Sequence, residues 1–145
     1  MGLVTFDVLT GERTEDPNWT APPAPPVVPT SGMVNAERDR RRADGITFMG
    51  NLFQTREFDQ SNIAAMHQAA MAAVLDGAVA GDLNWFSDQV PFAWIAEDNS
   101  MVPMDAPTMM AFGKAVAQRE SAMIFTARGL KELIEKGFLK PKLPN

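Results

Sequence analysis

Between Asp16 and Pro29 the chain reads Asp-Pro-Asn-Trp-Thr-Ala-Pro-Pro-Ala-Pro-Pro-Val-Val-Pro, which holds most of its 11 prolines. Proline fixes φ and has no N–H to donate, so this stretch is excluded from helix and from a central strand. Pro22 to Pro29 is expected to form a stiff polyproline II spacer about 25 Å long. It divides the chain into an N-terminal arm, residues 1–30, and a domain, residues 31–145. With 145 residues, 46% of them hydrophobic, the chain can bury one ordinary core.

In the arm, Leu3-Val-Thr-Phe-Asp-Val-Leu9 has strand composition. Thr10-Gly11-Glu12 can turn it back toward Arg13 and Thr14 as a hairpin. A strand positioned by a proline spacer suits docking by strand addition, with Leu3, Val4, Phe6 and Val8 as contact residues and Trp19 as an aromatic anchor. Pro22, Pro25, Pro26 and Pro29 belong to the same docking segment. Recognition of the prolines by an aromatic groove is a second use the spacing allows, but a spacer role is favoured.

The domain opens with a charged helix from Met33 to Asp44, for which Ser31 or Asn35 can serve as N-cap and Gly45 as the residue after the C-cap. Ile46 to Thr55 alternates strand residues around Gly50-Asn51 as a second hairpin, with Phe48 and Phe53 in the core. Asp59 is read as the N-cap of the next helix, stapled by Phe58 and Ile63, with Ile63, Met66, Ala70, Met71 and Val74 on one face and Gly77 as its stop. Gly81 to Phe86 is expected to be a turn followed by a strand.

Phe92 to Gly113 carries the densest local instruction. Phe92 to Ile95 and Met101 to Met104 are strand segments around the turn residues Asp98-Asn99-Ser100, and Pro103 makes the return an edge strand. Asp105 then caps a long helix, with Pro107 in its first turn. Met109, Val116, Met123 and Leu130 recur every seven residues, Phe112 and Leu133 fall in the complementary row, and Arg119 and Thr126 interrupt it. Such a seam can cover the domain's own core, the favoured reading, or meet another copy. Gly137-Phe138 fits a Schellman stop, and Pro141 onward is expected to be an irregular strap. The structural core is expected to include Trp85, Phe92, Trp94, Ile95, Asp98, Asn99, Asp105 and Phe112. The fold class is therefore α+β: small antiparallel hairpins packed on two to three helices, one of them long and C-terminal, preceded by the extended arm.

A net charge of −5 argues against non-specific nucleic-acid binding, and the one basic cluster, Arg38 to Arg42, is interleaved with Glu37, Asp39 and Asp44 as a solvated helix face. The absence of cysteine removes disulfides, thiolate chemistry and cysteine metal sites. Neither a secretory signal nor a membrane span is expected, since Ile63 to Ala80 is broken by polar residues. The lone His67 lies beside the apolar face of its helix and no nucleophile motif accompanies it. Glu97 and Asp98 are better explained by a turn than by a cation site, and the 10 methionines by a core, with Met104, Met109 and Met110 as the minority candidates for an interface. No catalytic residue, cofactor site or metal site is assigned, and an enzyme is not expected.

The runs Arg41-Arg42-Ala43-Asp44-Gly45-Ile46-Thr47-Phe48-Met49-Gly50, Phe53-Gln54-Thr55-Arg56 and Asp59-Gln60-Ser61-Asn62-Ile63 carry a resemblance, together with Trp94-Ile-Ala-Glu-Asp-Asn-Ser-Met-Val-Pro-Met-Asp105. Over roughly Asn35 to Glu135 the chain resembles a phage and prophage domain family of uncharacterised function, encoded among tail and tail-fibre genes. The resemblance implies a virion structural protein at the tail tip or fibre attachment point, assembled in the host cytoplasm. Its partners would be other tail or fibre proteins, with several copies around a symmetry axis or a homo-oligomer. A fibre assembly factor, absent from the finished particle, is the alternative. The resemblance implies no reaction and supplies no catalytic residues.

Overall fold

The computed structural model describes residues 3–25 and 27–138; the expected tail strap and Pro26 lie outside them. The elements run β1 (Leu3–Phe6), β2 (Arg13–Asp16), α1 (Ser31–Ala43), β3 (Ile46–Phe48), β4 (Asn51–Phe53), α2 (Glu57–Leu75), β5 (Ala93–Ile95), β6 (Met101–Pro103) and α3 (Ala106–Glu135). Each pair of successive strands forms its own two-stranded antiparallel sheet. The fold is α+β, as its residue pattern implies. The chain divides between Val28 and Pro29 into two compact units.

In the first unit, β1 is shorter than its composition suggests. The Asp7 carboxylate accepts from the amides of Leu9 and Thr10, and the Asp7 carbonyl accepts from Gly11, which sits at φ 74°. This Asp-led turn captures Val8 and Leu9, so the strand ends at Phe6. Between Ala21 and Thr30 no described residue is in a helix or strand.

In the second unit α3 is the spine, about 45 Å long at 1.5 Å per residue. Asp105 starts it, its carboxylate accepting from Thr108 N at 2.8 Å, and Pro107 occupies a first-turn position. Its end is a Schellman motif: Gly137 at φ 75° donates to Ile134 O and Phe138 N to Leu133 O, both at 3.0 Å. α2 stops the same way, with Gly77 at φ 106° donating to Val74 O and Ala78 to Ala73 O.

The three helices are arranged by a few pairings. His67 of α2 lies on Gly113 of α3, where even a methyl group would come within 2.6 Å of the imidazole Nδ1. Ion pairing of Arg42 with Glu120 and a hydrogen bond from Lys131 Nζ to Asn35 Oδ1 at 3.1 Å make α1 antiparallel to α3. α2 therefore lies along the first half of α3, where the core is built, and α1 along the second half. The core gathers Phe53, Ile63, Ala70, Met104, Met109, Phe112 and Val116. Phe112 is the hub, its ring 4.8 Å from Phe53, 5.2 Å from Phe48 and 6.2 Å from Trp94. Arrangements of this kind add to the area that aromatic side chains remove from water.

Thr55 closes the domain at one buried point. Its hydroxyl donates to Arg42 O at 2.6 Å and accepts from Gly45 N at 3.2 Å, which finishes the C-terminal end of α1. From α3, Arg119 reaches the same point, donating to Arg41 O at 2.5 Å and Thr55 Oγ1 at 3.4 Å. The residue that interrupts the heptad row is a cap for another helix.

Several expectations are corrected by these contacts. Thr30, rather than Ser31 or Asn35, caps α1, accepting from Met33 N at 3.2 Å. α2 begins two residues before Asp59, which becomes its third residue, accepts from Arg56 N at 3.1 Å and pairs with the Arg56 guanidinium. That shift moves Phe58 out of the staple position and leaves it 76% exposed. Met71 on the predicted face is also exposed. The β3–β4 turn is centred on Met49-Gly50, both at positive φ (50° and 76°), one residue earlier than expected; this is the backbone of a type I′ turn. Residues 82–86 form no strand: the segment from Gly77 to Pro91 is irregular, pinned by Trp85 Nε1 donating to Met104 O at 2.9 Å.

Candidate interaction surfaces

The first candidate surface is the N-terminal hairpin. Val4 and Phe6 share one face of β1, opposite Glu15 and Arg13 of β2, which pair with each other at 2.6 Å. Every residue from Val4 to Val28 whose burial is described is exposed, with Phe6 67% exposed. Val8 and Leu9 are exposed in the turn, and Val27 and Val28 past the prolines. Trp19, whose amide donates to Asp16 O, is the least exposed of the large apolar residues here. Pro22 and Pro25 are exposed and Pro29 is half-buried; of Leu3 the backbone alone is described, paired with Asp16. Two-stranded hairpins are marginal in water without a covering layer. Here none of the described residues supplies one within the hairpin itself.

The predicted core residues separate into two groups. Phe112 is fully buried and Trp85, Phe92 and Trp94 are half-buried around it, with Trp85 and Phe92 ring centroids 4.6 Å apart. Ile95 is a correction: it is 59% exposed. Trp94 and Val102 form the inward pair of the β5–β6 ladder, so Ile95 and Met101, the next pair, point outward by the two-residue period. Asp98 and Asn99 are exposed turn residues rather than core: Asp98 accepts from Ser100 N at 3.0 Å and Ser100 Oγ at 2.6 Å, and Asn99 takes φ 67°. Hydrogen bonding to Ser100 holds the Asp98 carboxyl below its ordinary range.

Asp105 has a wider role than a cap. Its second oxygen accepts from Gly81 N at 2.8 Å, so one carboxylate ties the irregular segment to the start of α3. Hydrogen bonds from Thr108 first and Gly81 second lower its pKa. The Trp94 to Asp105 run is thus explained by structure: strand, turn, strand and cap.

Among the described residues, no group of three or more His, Asp or Glu side chains is placed to hold a metal ion. Glu97 and Asp98 border a recess between the two hairpin turns, next to Gly50, Asn51 and Leu52, and Glu97 N donates to Leu52 O at 2.8 Å. His67 is half-buried, with Nδ1 packed against Gly113 and without a hydrogen-bond partner. Met104 and Met109 are fully buried and Met110 is packed against the core, so these three methionines belong to packing. No described helix is long and apolar enough to cross a membrane.

A second surface was not foreseen from the sequence. The heptad seam is buried only as far as Val116; beyond it, Met123 is half-buried and Leu130 and Leu133 are each 40% exposed. There α1 and α3 leave between them an open groove of about 390 Å³. Its apolar lining comes from Met33, Val34, Ala122, Met123, Ala127 and Leu130, and its charged lining from Glu37, Arg38, Arg41 and Arg119. Hydrogen bonds from Arg40 and then Arg41 lower the Glu37 pKa to about 2, so it stays ionised well into acid.

Residues 30–142 match a family described as a domain of unknown function (DUF4376). No curated protein and no solved structure matches the chain.

Proposed function

The chain belongs to the DUF4376 family, and we propose that it is a structural protein of a phage virion, docked through its N-terminal arm on a larger protein of the tail tip or fibre attachment region. The observation that carries the docking reading is the hairpin: two short strands with exposed apolar side chains and no buried described residue, set ahead of a proline segment. A ribbon like this gains most by lending an edge to another sheet, where backbone hydrogen bonds supply affinity and Val4 and Phe6 supply side chains for pockets. Residues 1–29, nearly the whole arm, lie outside the family match. The tail assignment is supported by the resemblance carried by the runs around Gly45 and from Trp94 to Asp105, both of which lie inside the matched segment.

The exposed apolar ribbon is what supports reading the role as binding. Seating on a larger protein would place several copies around its symmetry axis. The test is replacement of the gene by one lacking residues 1–28. The expected result is a soluble truncated chain with an unchanged thermal midpoint and particles from which it is missing. Normal incorporation of the truncated chain would refute arm docking.

A further inference from the structure

The groove between α1 and the second half of α3 is a separate surface, independent of the arm. We propose that it is a docking site for an amphipathic helix of another protein, about three turns long and carrying carboxylates at one end.

The shape argues for a helix. Among the described residues, α1 and the second half of α3 run antiparallel as a two-helix layer with no third element over their groove, and a third helix laid there completes a bundle. From Met33 to Arg41 and from Arg119 to Leu130 the groove walls span about 12–17 Å, the length of some three helical turns. Of the α3 residues lining it, Ala122, Thr126 and Ala127 are small and let a third helix approach closely between Met123 and Leu130. Apolar exposure is concentrated at the Met33–Leu130 end.

Charge selects the occupant. The chain as a whole is acidic, at −5, yet three of the four charged residues lining the groove are arginines. Arg38 pairs with Asp39 at 2.8 Å and Arg41 with Glu37 at 2.7 Å, so both are partly compensated. Arg119 has no carboxylate partner among the described residues; its guanidinium is held by the Arg41 carbonyl and the Thr55 hydroxyl, both neutral. Arg41 and Arg119 stand together at one end of the groove and Met33 and Leu130 at the other. The groove is therefore polarised, and a helix whose carboxylates sit over Arg119 satisfies both ends in a single orientation. A basic or uniformly apolar helix satisfies only one.

The probe is a fluorescently labelled, end-blocked 14-residue peptide with leucines at helical spacing and three glutamates in its first turn, titrated with the full chain by anisotropy. Analogues carry three glutamines or three lysines instead. Saturable binding of the glutamate peptide is expected, about tenfold weaker for glutamine and weaker again for lysine, with the difference shrinking as salt rises. Met33→Asp at the exposed apolar end should remove binding. Arg119 also caps α1, so Arg38→Gln accompanies Arg119→Gln as a charge variant away from that cap, each checked for helix content by circular dichroism. Equal binding of the glutamate and lysine peptides would overturn the proposal, as would no binding. So would a dimer of the chain that Met33→Asp splits, because the groove would then be covered by a second copy.

Discussion

Gly45→Ala is expected to destabilise the domain by about 3 kcal/mol or more, although it adds a single methyl group. Gly45 holds φ 89°, where a residue with a Cβ loses ~1–2 kcal/mol. That Cβ would also lie 2.7 Å from the Phe53 carbonyl oxygen and 3.1 Å from Leu52 Cδ1. Phe53 is a fully buried strand residue and its carbonyl cannot swing aside, so overpacking adds ~1–3 kcal/mol. Displacing Gly45 also disturbs its hydrogen bond to Thr55 and hence the Arg119 cap. Gly50→Ala supplies the control: its φ is 76° but nothing lies within 4 Å of the added Cβ, so the backbone cost alone applies. Denaturant unfolding should show the Gly45 variant losing clearly more than the Gly50 variant. Equal losses would mean that the close approach to Phe53 does not exist.

Phe112→Ala should cost ~3–5 kcal/mol, the range for removing a fully buried phenylalanine. The ring is the one against which Phe48, Phe53 and Trp94 all pack, so truncation opens a cavity shared by both hairpins and α3. Phe125, further along the same helix and 64% exposed, serves as the comparison: Phe125→Ala should change stability by no more than about 0.5 kcal/mol. A loss below about 1 kcal/mol at Phe112 would place the centre of the core elsewhere.

The local punctuation of this fold is legible in the chain, because the residues that start and stop elements act on their immediate neighbours. Asp105 caps α3, Gly45, Gly77 and Gly137 adopt the left-handed backbone after their helices, and Asp98-Asn99-Ser100 makes the turn between β5 and β6. What pattern could not settle is which partner covers each apolar row. Arg119 breaks a heptad row in the sequence, and only the return of α1 shows that its guanidinium finishes that helix. The seam from Met109 to Leu130 is one continuous repeat, yet α2 and the hairpins cover its first half and leave the rest as a groove wall. Ile95 has the composition of a core residue, but a three-residue strand offers two faces and the ladder gives the inner one to Trp94. Asp59 fits a helix cap equally well at the cap itself or three residues in, a choice made by the Arg56 contact.

The surfaces follow the same logic. The matched segment folds around Phe112, whereas the arm carries apolar side chains that its own hairpin leaves in water. Recognition is accordingly proposed at exposed edges and grooves.

The proposed virion role is tested most directly by where the chain resides once particles are complete. Quantitative peptide mass spectrometry of density-gradient-purified particles, with crude lysate alongside, measures that. A virion component is expected to be recovered in particles at a copy number comparable to the tail proteins. Abundance in the lysate with absence from particles would contradict that role and assign the chain to assembly instead.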